Sequence, residues 1–104
     1  MKGPFVHTVF FWLKEPDNQD HRALFLSELK MFIDGIDLIL NQHVGAPAGT
    51  PRDVVDNSYT FSLIVSFESK EDHDTYQEHP LHKQFIANAS MLWSRVQVYD
   101  SIRQ

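Results

Sequence analysis

Pro4-Phe5-Val6-His7-Thr8-Val9-Phe10-Phe11-Trp12-Leu13-Lys14 is the stretch on which the fold turns. Side chains alternate across a strand, so Phe5, His7, Val9, Phe11 and Leu13 share one face, and Val6, Thr8, Phe10 and Trp12 share the other. Both faces are largely apolar. A sheet covered on one side alone alternates apolar with polar residues. The second face of this strand therefore needs a cover as well, and a chain of 104 residues has few elements left to supply it. The pattern predicts that a second copy of the chain covers it, in a homodimer.

Outward from this strand, Glu15-Pro16-Asp17-Asn18 breaks the extended run and offers helix caps. Phe25, Leu29, Phe32, Ile33 and Ile36 then recur at helical spacing, and Gly35 is expected to end that helix in the left-handed conformation. Leu38-Ile39-Leu40 is expected to open a second strand that runs to Val44. Ala46 to Asn57, with Pro47, Gly49 and Pro51, reads as an exposed loop. Ser58 to Glu68 reads as a third strand, with Tyr59, Phe61, Leu63, Val65 and Phe67 alternating with Thr60, Ser62, Ile64, Ser66 and Glu68. Ser69 is a helix cap with Asp72 three residues on. Pro80 interrupts this helix and starts a second segment carrying Phe85, Ile86, Ala89 and Leu92. Val96 and Val98 mark a short last strand ending near Ser101. The order β-α-β-β-α-β predicts a ferredoxin-like α+β protomer, an antiparallel sheet with its helices on one face, built from residues 1–104 as a single domain. Two such sheets are expected to pack face to face across a two-fold axis.

Bulk properties narrow the function classes. Hydrophobic residues make up 42% of the chain, enough for one core, and eight Phe, three Tyr and two Trp make it aromatic. The net charge of −5, with Lys2, Lys14, Lys30, Lys70 and Lys83 scattered, argues against a nucleic-acid partner. No cysteine is present, so disulfides and thiolate chemistry are excluded, in keeping with a reducing compartment. The longest purely apolar run, Val9 to Leu13, is far short of a membrane span. His7 interrupts the apolar N-terminal stretch and no small-residue cleavage site follows, so a soluble, cytoplasmic protein without a membrane partner is expected.

Chemistry concentrates in Tyr76-Gln77-Glu78-His79-Pro80-Leu81-His82. A histidine of ordinary pKa, about 6.5, can take a proton as general base and return it as acid. A tyrosine hydroxyl can hold a carbonyl oxygen and stabilise an enolate as it forms. The segment suits proton abstraction next to a carbonyl, as in an aldol closure or an isomerisation. The bland alternative is that His79 caps the helix segment after it and Tyr76 only packs, and spacing leaves both open. His7, mid-strand on the helix side, is either a hydrogen-bonded core histidine or a polar contact reaching the Tyr76–His82 segment. His73, His79 and His82, with Asp72, Asp74 and Glu78, match no closed zinc spacing, and the acidic run from Glu71 to Glu78 reads as a solvated helix face. No metal and no other cofactor is therefore expected. Trp12, Trp93 and the Phe-rich strands are core or interface before they are pocket lining.

His7-Thr8-Val9-Phe10-Phe11, Val44-Gly45, Tyr59-Thr60 leading to Phe67-Glu68-Ser69, and above all Tyr76-x-x-His79-Pro80-x-His82-x-x-Phe85 together resemble the stress-responsive A/B-barrel (Dabb) family over nearly the whole chain. The resemblance implies ferredoxin-like protomers joined through their sheets into dimeric α+β barrels. The family includes a plant polyketide cyclase that closes a linear poly-β-keto chain by aldol condensation. By that resemblance His82 is the acid/base and Tyr76 assists by binding. Strand residues matching His7 and Phe61 lie near the cyclase cavity, so these two are expected to contact substrate, and His79, in the same segment as His82, is expected to do so as well. Phe61 stands where the cyclase has histidine, which argues against carrying the cyclase substrate over directly. Three readings follow: a small-molecule enzyme or binder with an apolar cavity between sheet and helices, a non-catalytic stress-linked dimeric protein, and a monooxygenase-like barrel.

Overall fold

The first strand, β1 (Phe5–Leu13), has the two-faced character its sequence demands: every second residue from Phe5 to Leu13 is buried, and those between are half-buried. The computed structural model describes all residues, 1–104. After β1 come α1 (Gln19–Asp34), β2 (Asn41–Gly45), β3 (Phe61–Phe67), α2 (Lys70–Glu78), α3 (Pro80–Ala89), a 3-10 turn at Ser90–Leu92, and β4 (Trp93–Ile102). The strands form one sheet in the order β2-β3-β1-β4. All three pairings are antiparallel. This is the ferredoxin-like protomer expected. No helix is long and apolar enough to cross a membrane.

Local chemistry sets the helix boundaries. Asn18 caps α1 by accepting the His21 amide at 3.0 Å, and Ser69 caps α2 by accepting the Asp72 amide at 3.1 Å. His79 leaves the helical region at ψ 140°, and Pro80 starts α3 as its first residue, where a missing N–H costs nothing. The second helical element is thus two helices meeting at His79.

The core fills the space between the inner sheet face and the helices. Phe25, Leu29, Leu63, Val65, Phe67 and Tyr76 are its most deeply buried members. Phe25 joins the layers, with its ring 4.9 Å from Phe11, 5.2 Å from Phe61 and 5.8 Å from Phe85.

Several boundaries differ from expectation for physical reasons. Gly35 has φ −91°, so it is not left-handed. A Cβ there would collide with Leu81 Cδ1, so the glycine serves the close approach of α3 instead. Leu38 and Ile39 pack on the core from a turn closed by the Ile39 amide on the Ile36 carbonyl at 3.3 Å, and the second strand starts only at Asn41. The third strand starts at Phe61 because the alternation breaks just before it. Thr60 is buried and its hydroxyl accepts the Leu13 amide at 3.0 Å, while Tyr59 lies 4.9 Å from Phe10 on the outer face and not with Phe61 on the inner one. The last strand has ten residues, longer than its apolar residues suggested, because Ser94, Arg95 and Gln97 are tolerated on an exposed edge. The inner face of β4 is left partly uncovered: Val96 is 44% and Val98 42% exposed.

Candidate functional site

That uncovered face opens a cleft. Its floor is β1 and β4, through His7, Val9, Phe11, Val96 and Val98. Its wall is the α2–α3 bend, through Tyr76, Gln77, His82, Phe85 and Ile86. The volume is about 200 Å³, below the ~300–1,000 Å³ of sites for drug-sized ligands, which limits an occupant to a small molecule.

Tyr76 stands at the centre of the polar groups. It is 1% exposed, stacked on Phe32 at 5.3 Å and tilted against Phe67 at 4.9 Å. His7 meets its ring edge-on at 5.6 Å and His82 does so at 5.4 Å. The bend at His79 therefore brings His82 onto the same cleft as Tyr76, and β1 supplies His7 from the floor.

Hydrogen bonding leaves these groups available. Asp100, opposite His7 in the β1–β4 register, lies with Oδ1 2.5 Å from His7 Nδ1. A carboxylate only accepts, so Nδ1 carries the proton and Nε2 keeps its lone pair. No protein group bonds to His7 Nε2, to the Tyr76 hydroxyl or to either ring nitrogen of His82. None of these atoms is among the buried polar atoms without a partner, so each stays open to a ligand.

Electrostatics assign them different tasks. Burial lowers the pKa of His82 below its ordinary value, reinforced by charge on His7 and opposed by Glu78, so the ring is neutral at pH 7. Burial likewise lowers that of His7, with the Asp100 hydrogen bond working the other way. Burial, with the charge of Asp100, raises that of Tyr76 well beyond the ordinary phenol range, so its hydroxyl remains a proton-bearing donor at any physiological pH. The cleft thus holds a neutral imidazole that can accept a proton beside a phenol that keeps its own and can donate a hydrogen bond.

Two residues expected to contact substrate stand elsewhere. Phe61 is 3% exposed and stacked flat on Phe25, with the Arg22 guanidinium 4.6 Å over its ring, so it contributes to the core and not to the cleft. His79 spends its side chain on the start of α3, where Nδ1 accepts the Leu81 amide at 3.0 Å. His79→Ala is expected to cost about 1 kcal/mol of stability, read by chemical denaturation, while leaving affinity for a cleft ligand within about twofold. A tenfold loss of affinity would put His79 back into the site.

Sequence reasoning missed Asp100, and weighed His73 only with its neighbours in sequence, His79 and His82. The signal for Asp100 was present: Val96-x-Val98-x-Asp100 places a carboxylate on an apolar strand face, where it needs a partner. His73 had none, because its neighbours Phe5 and His7 come from the far end of the chain, at ring distances of 4.5 and 4.8 Å.

Comparison with known proteins agrees with this architecture. A ferredoxin-like Dabb-family protein from Mesorhizobium loti is 21% identical, with 99% of each chain covered and a TM-score of 0.80. A hydroxynitrile lyase from Passiflora edulis is 14% identical and superposes at a TM-score of 0.82, covering 100% of this chain and 96% of that one. A dimeric ferredoxin-like protein of unknown function from Thermobifida fusca is 17% identical, with 98% and 93% covered and a TM-score of 0.78. These likenesses show a shared fold. No curated protein matches the chain. The family model of the stress responsive A/B barrel domain matches residues 5–103, from the first residue of β1 to one beyond the last of β4. The chain belongs to the stress responsive A/B barrel domain family.

Proposed function

We propose that the cleft binds a small, mostly apolar molecule bearing a carbonyl group, and that His82 and Tyr76 move a proton on the carbon next to it. The observation that carries this reading is the set of unpartnered polar atoms, Tyr76 Oη, His7 Nε2 and the His82 ring nitrogens, opening into an otherwise apolar cleft. Tyr76 donates to the carbonyl oxygen. A ring nitrogen of His82 takes the proton from the adjacent carbon, and the electron pair moves onto the oxygen as an enolate held by Tyr76. The enolate then either attacks a second carbonyl, whose oxygen takes the proton back from His82, as in an aldol closure, or, where it is conjugated with a neighbouring double bond, recovers the proton from His82 at the far carbon of that system, as in an isomerisation. No redox partner is needed. Anionic ligands are disfavoured, because no Lys or Arg lines the cleft and the Asp100 carboxylate lies against His7.

Deuterium exchange at the carbons flanking a ketone, followed by proton NMR, tests the chemistry without the natural substrate. Wild type is expected to exchange small aryl ketones at least 100-fold faster than His82→Ala. The rate should fall only at pH values below the ordinary imidazole range, because His82 must be neutral to accept the proton and burial keeps it neutral to lower pH than a free histidine. Equal rates in the two proteins would remove the catalytic reading and leave a binding protein.

We also propose that the functional unit is a homodimer joined through the outer sheet face. Phe10 there lies 4.9 Å from Tyr59 and 6.3 Å from Tyr99, and Tyr99 is 61% exposed, an aromatic patch unusual for a surface facing water.

A further inference from the structure

Beside the cleft, three side chains of ligand type converge from three separate elements. His7 lies in the middle of β1, Asp100 faces it from β4, and His73 approaches from α2. One ligand atom from each lies within 4.8 Å of the other two. We propose that His7, His73 and Asp100 form a binding site for a divalent transition metal of the zinc class. This does not rest on the proton-transfer reading above.

Two imidazoles and a carboxylate are a donor set that Zn²⁺ takes readily, and one that Ni²⁺ and Cu²⁺ also accept. Both histidines are buried, so their rings are held by their surroundings: His73 stacks on Phe5 at 4.5 Å, and His7 is 5% exposed. Donors on one ion stand at most about 4.2 Å apart, twice a bond of ~2.1 Å, so the set must close slightly. Asp100 is the member free to make that adjustment, since its side chain is 40% exposed on the edge strand, and as it turns from His7 to the ion the neutral His7 imidazole keeps its proton on the ring nitrogen that does not ligate.

The surroundings of His73 are those of a metal-ligating imidazole. Its Nδ1 donates to Asp74 Oδ1 at 3.2 Å, and Asp74 is itself held by Lys70 at 2.6 Å. A carboxylate on Nδ1 fixes the tautomer that leaves the Nε2 lone pair for a cation. The only contact competing for Nε2 is the Gln77 amide at a long 3.4 Å. Three protein ligands also leave a fourth position open, as in catalytic and not structural zinc sites. No spacing motif reveals the set, because His7 and Asp100 are 93 residues apart.

Isothermal titration of the metal-free full chain with ZnCl₂ tests the proposal, with cobalt absorption as a check on coordination. Wild type is expected to bind one equivalent per chain. His73→Gln and Asp100→Asn should each weaken binding at least about 30-fold. His43→Gln, a change at an exposed histidine on β2, should not alter it. Asp100→Asn guards against a folding artefact, because its side chain is partly solvated, and near-UV circular dichroism verifies both variants. Absence of a one-to-one event in wild type overturns the proposal. So does wild-type affinity in both His73→Gln and Asp100→Asn, which would place any bound zinc on other histidines.

Discussion

Phe25→Ala is expected to destabilise the protein by about 4 kcal/mol, which for a domain of this size lowers the melting temperature by roughly 20 °C. The side chain is fully buried. It stacks on Phe61 within 7° of parallel at 5.2 Å and meets Phe11 at 4.9 Å, Phe85 at 5.8 Å and Trp93 at 6.3 Å. Those partners belong to β3, β1, α3 and β4, so one ring on α1 ties both layers together. Its loss removes the transfer energy of a phenyl group and leaves a void that neighbours already fixed on four elements cannot fill. Leu24, the adjacent residue, is 45% exposed, and Leu24→Ala should cost less than about 1 kcal/mol. Urea unfolding of the two variants side by side reads the contrast. Similar losses in both would contradict the layer arrangement.

Phe10→Asp is expected to weaken the homodimer at least 100-fold, or about 2.7 kcal/mol. The outer face of β1 presents Val6, Thr8, Phe10 and Trp12, with Ile64 of β3 opposite Thr8 and Gln97 of β4 opposite Phe10. A two-fold contact repeats each residue from the partner, so one substitution introduces two like charges into a desolvated patch. Phe10 also points away from His7, Val9 and Phe11, so the cleft should keep its shape. Sedimentation velocity over a range of concentrations measures the effect. A wild-type protein that stays monomeric at high concentration would refute the interface, and an undiminished dimer of Phe10→Asp would move it to another surface.

Much of this was legible in the residues. The two-sided apolar β1, the helical spacing from Phe25 to Ile36 and the break at Pro80 are local signals, and local signals set element type and order. Tyr76, His82 and His7 were recognisable because proton-active side chains on apolar faces stand out against their neighbours. The failures share a cause. Phe61 was placed on the right face of the sheet, but a face says nothing about distance along it, and Phe61 lies in the core with Phe25. His79 was ambiguous because capping and substrate contact use the same nitrogen. Asp100 and His73 gain meaning only through the register of β4 on β1 and the approach of α2, contacts between remote parts of the chain that no window of sequence contains. Leu38-Ile39-Leu40 shows the converse: an apolar run too short to tell a strand from a half-buried turn.

The claim on which the functional reading depends is that small carbonyl compounds bind between β4 and the α2–α3 bend. Amide chemical-shift mapping of wild type titrated with an aryl ketone that raises its melting temperature locates the site directly. The predicted result is shifts concentrated from Tyr76 to Ile86 and at Val96 and Val98, lost in Ile86→Trp, which fills the cleft. Shifts confined to Phe10, Trp12 and Tyr99 on the outer sheet face, or unchanged binding by Ile86→Trp, would contradict it.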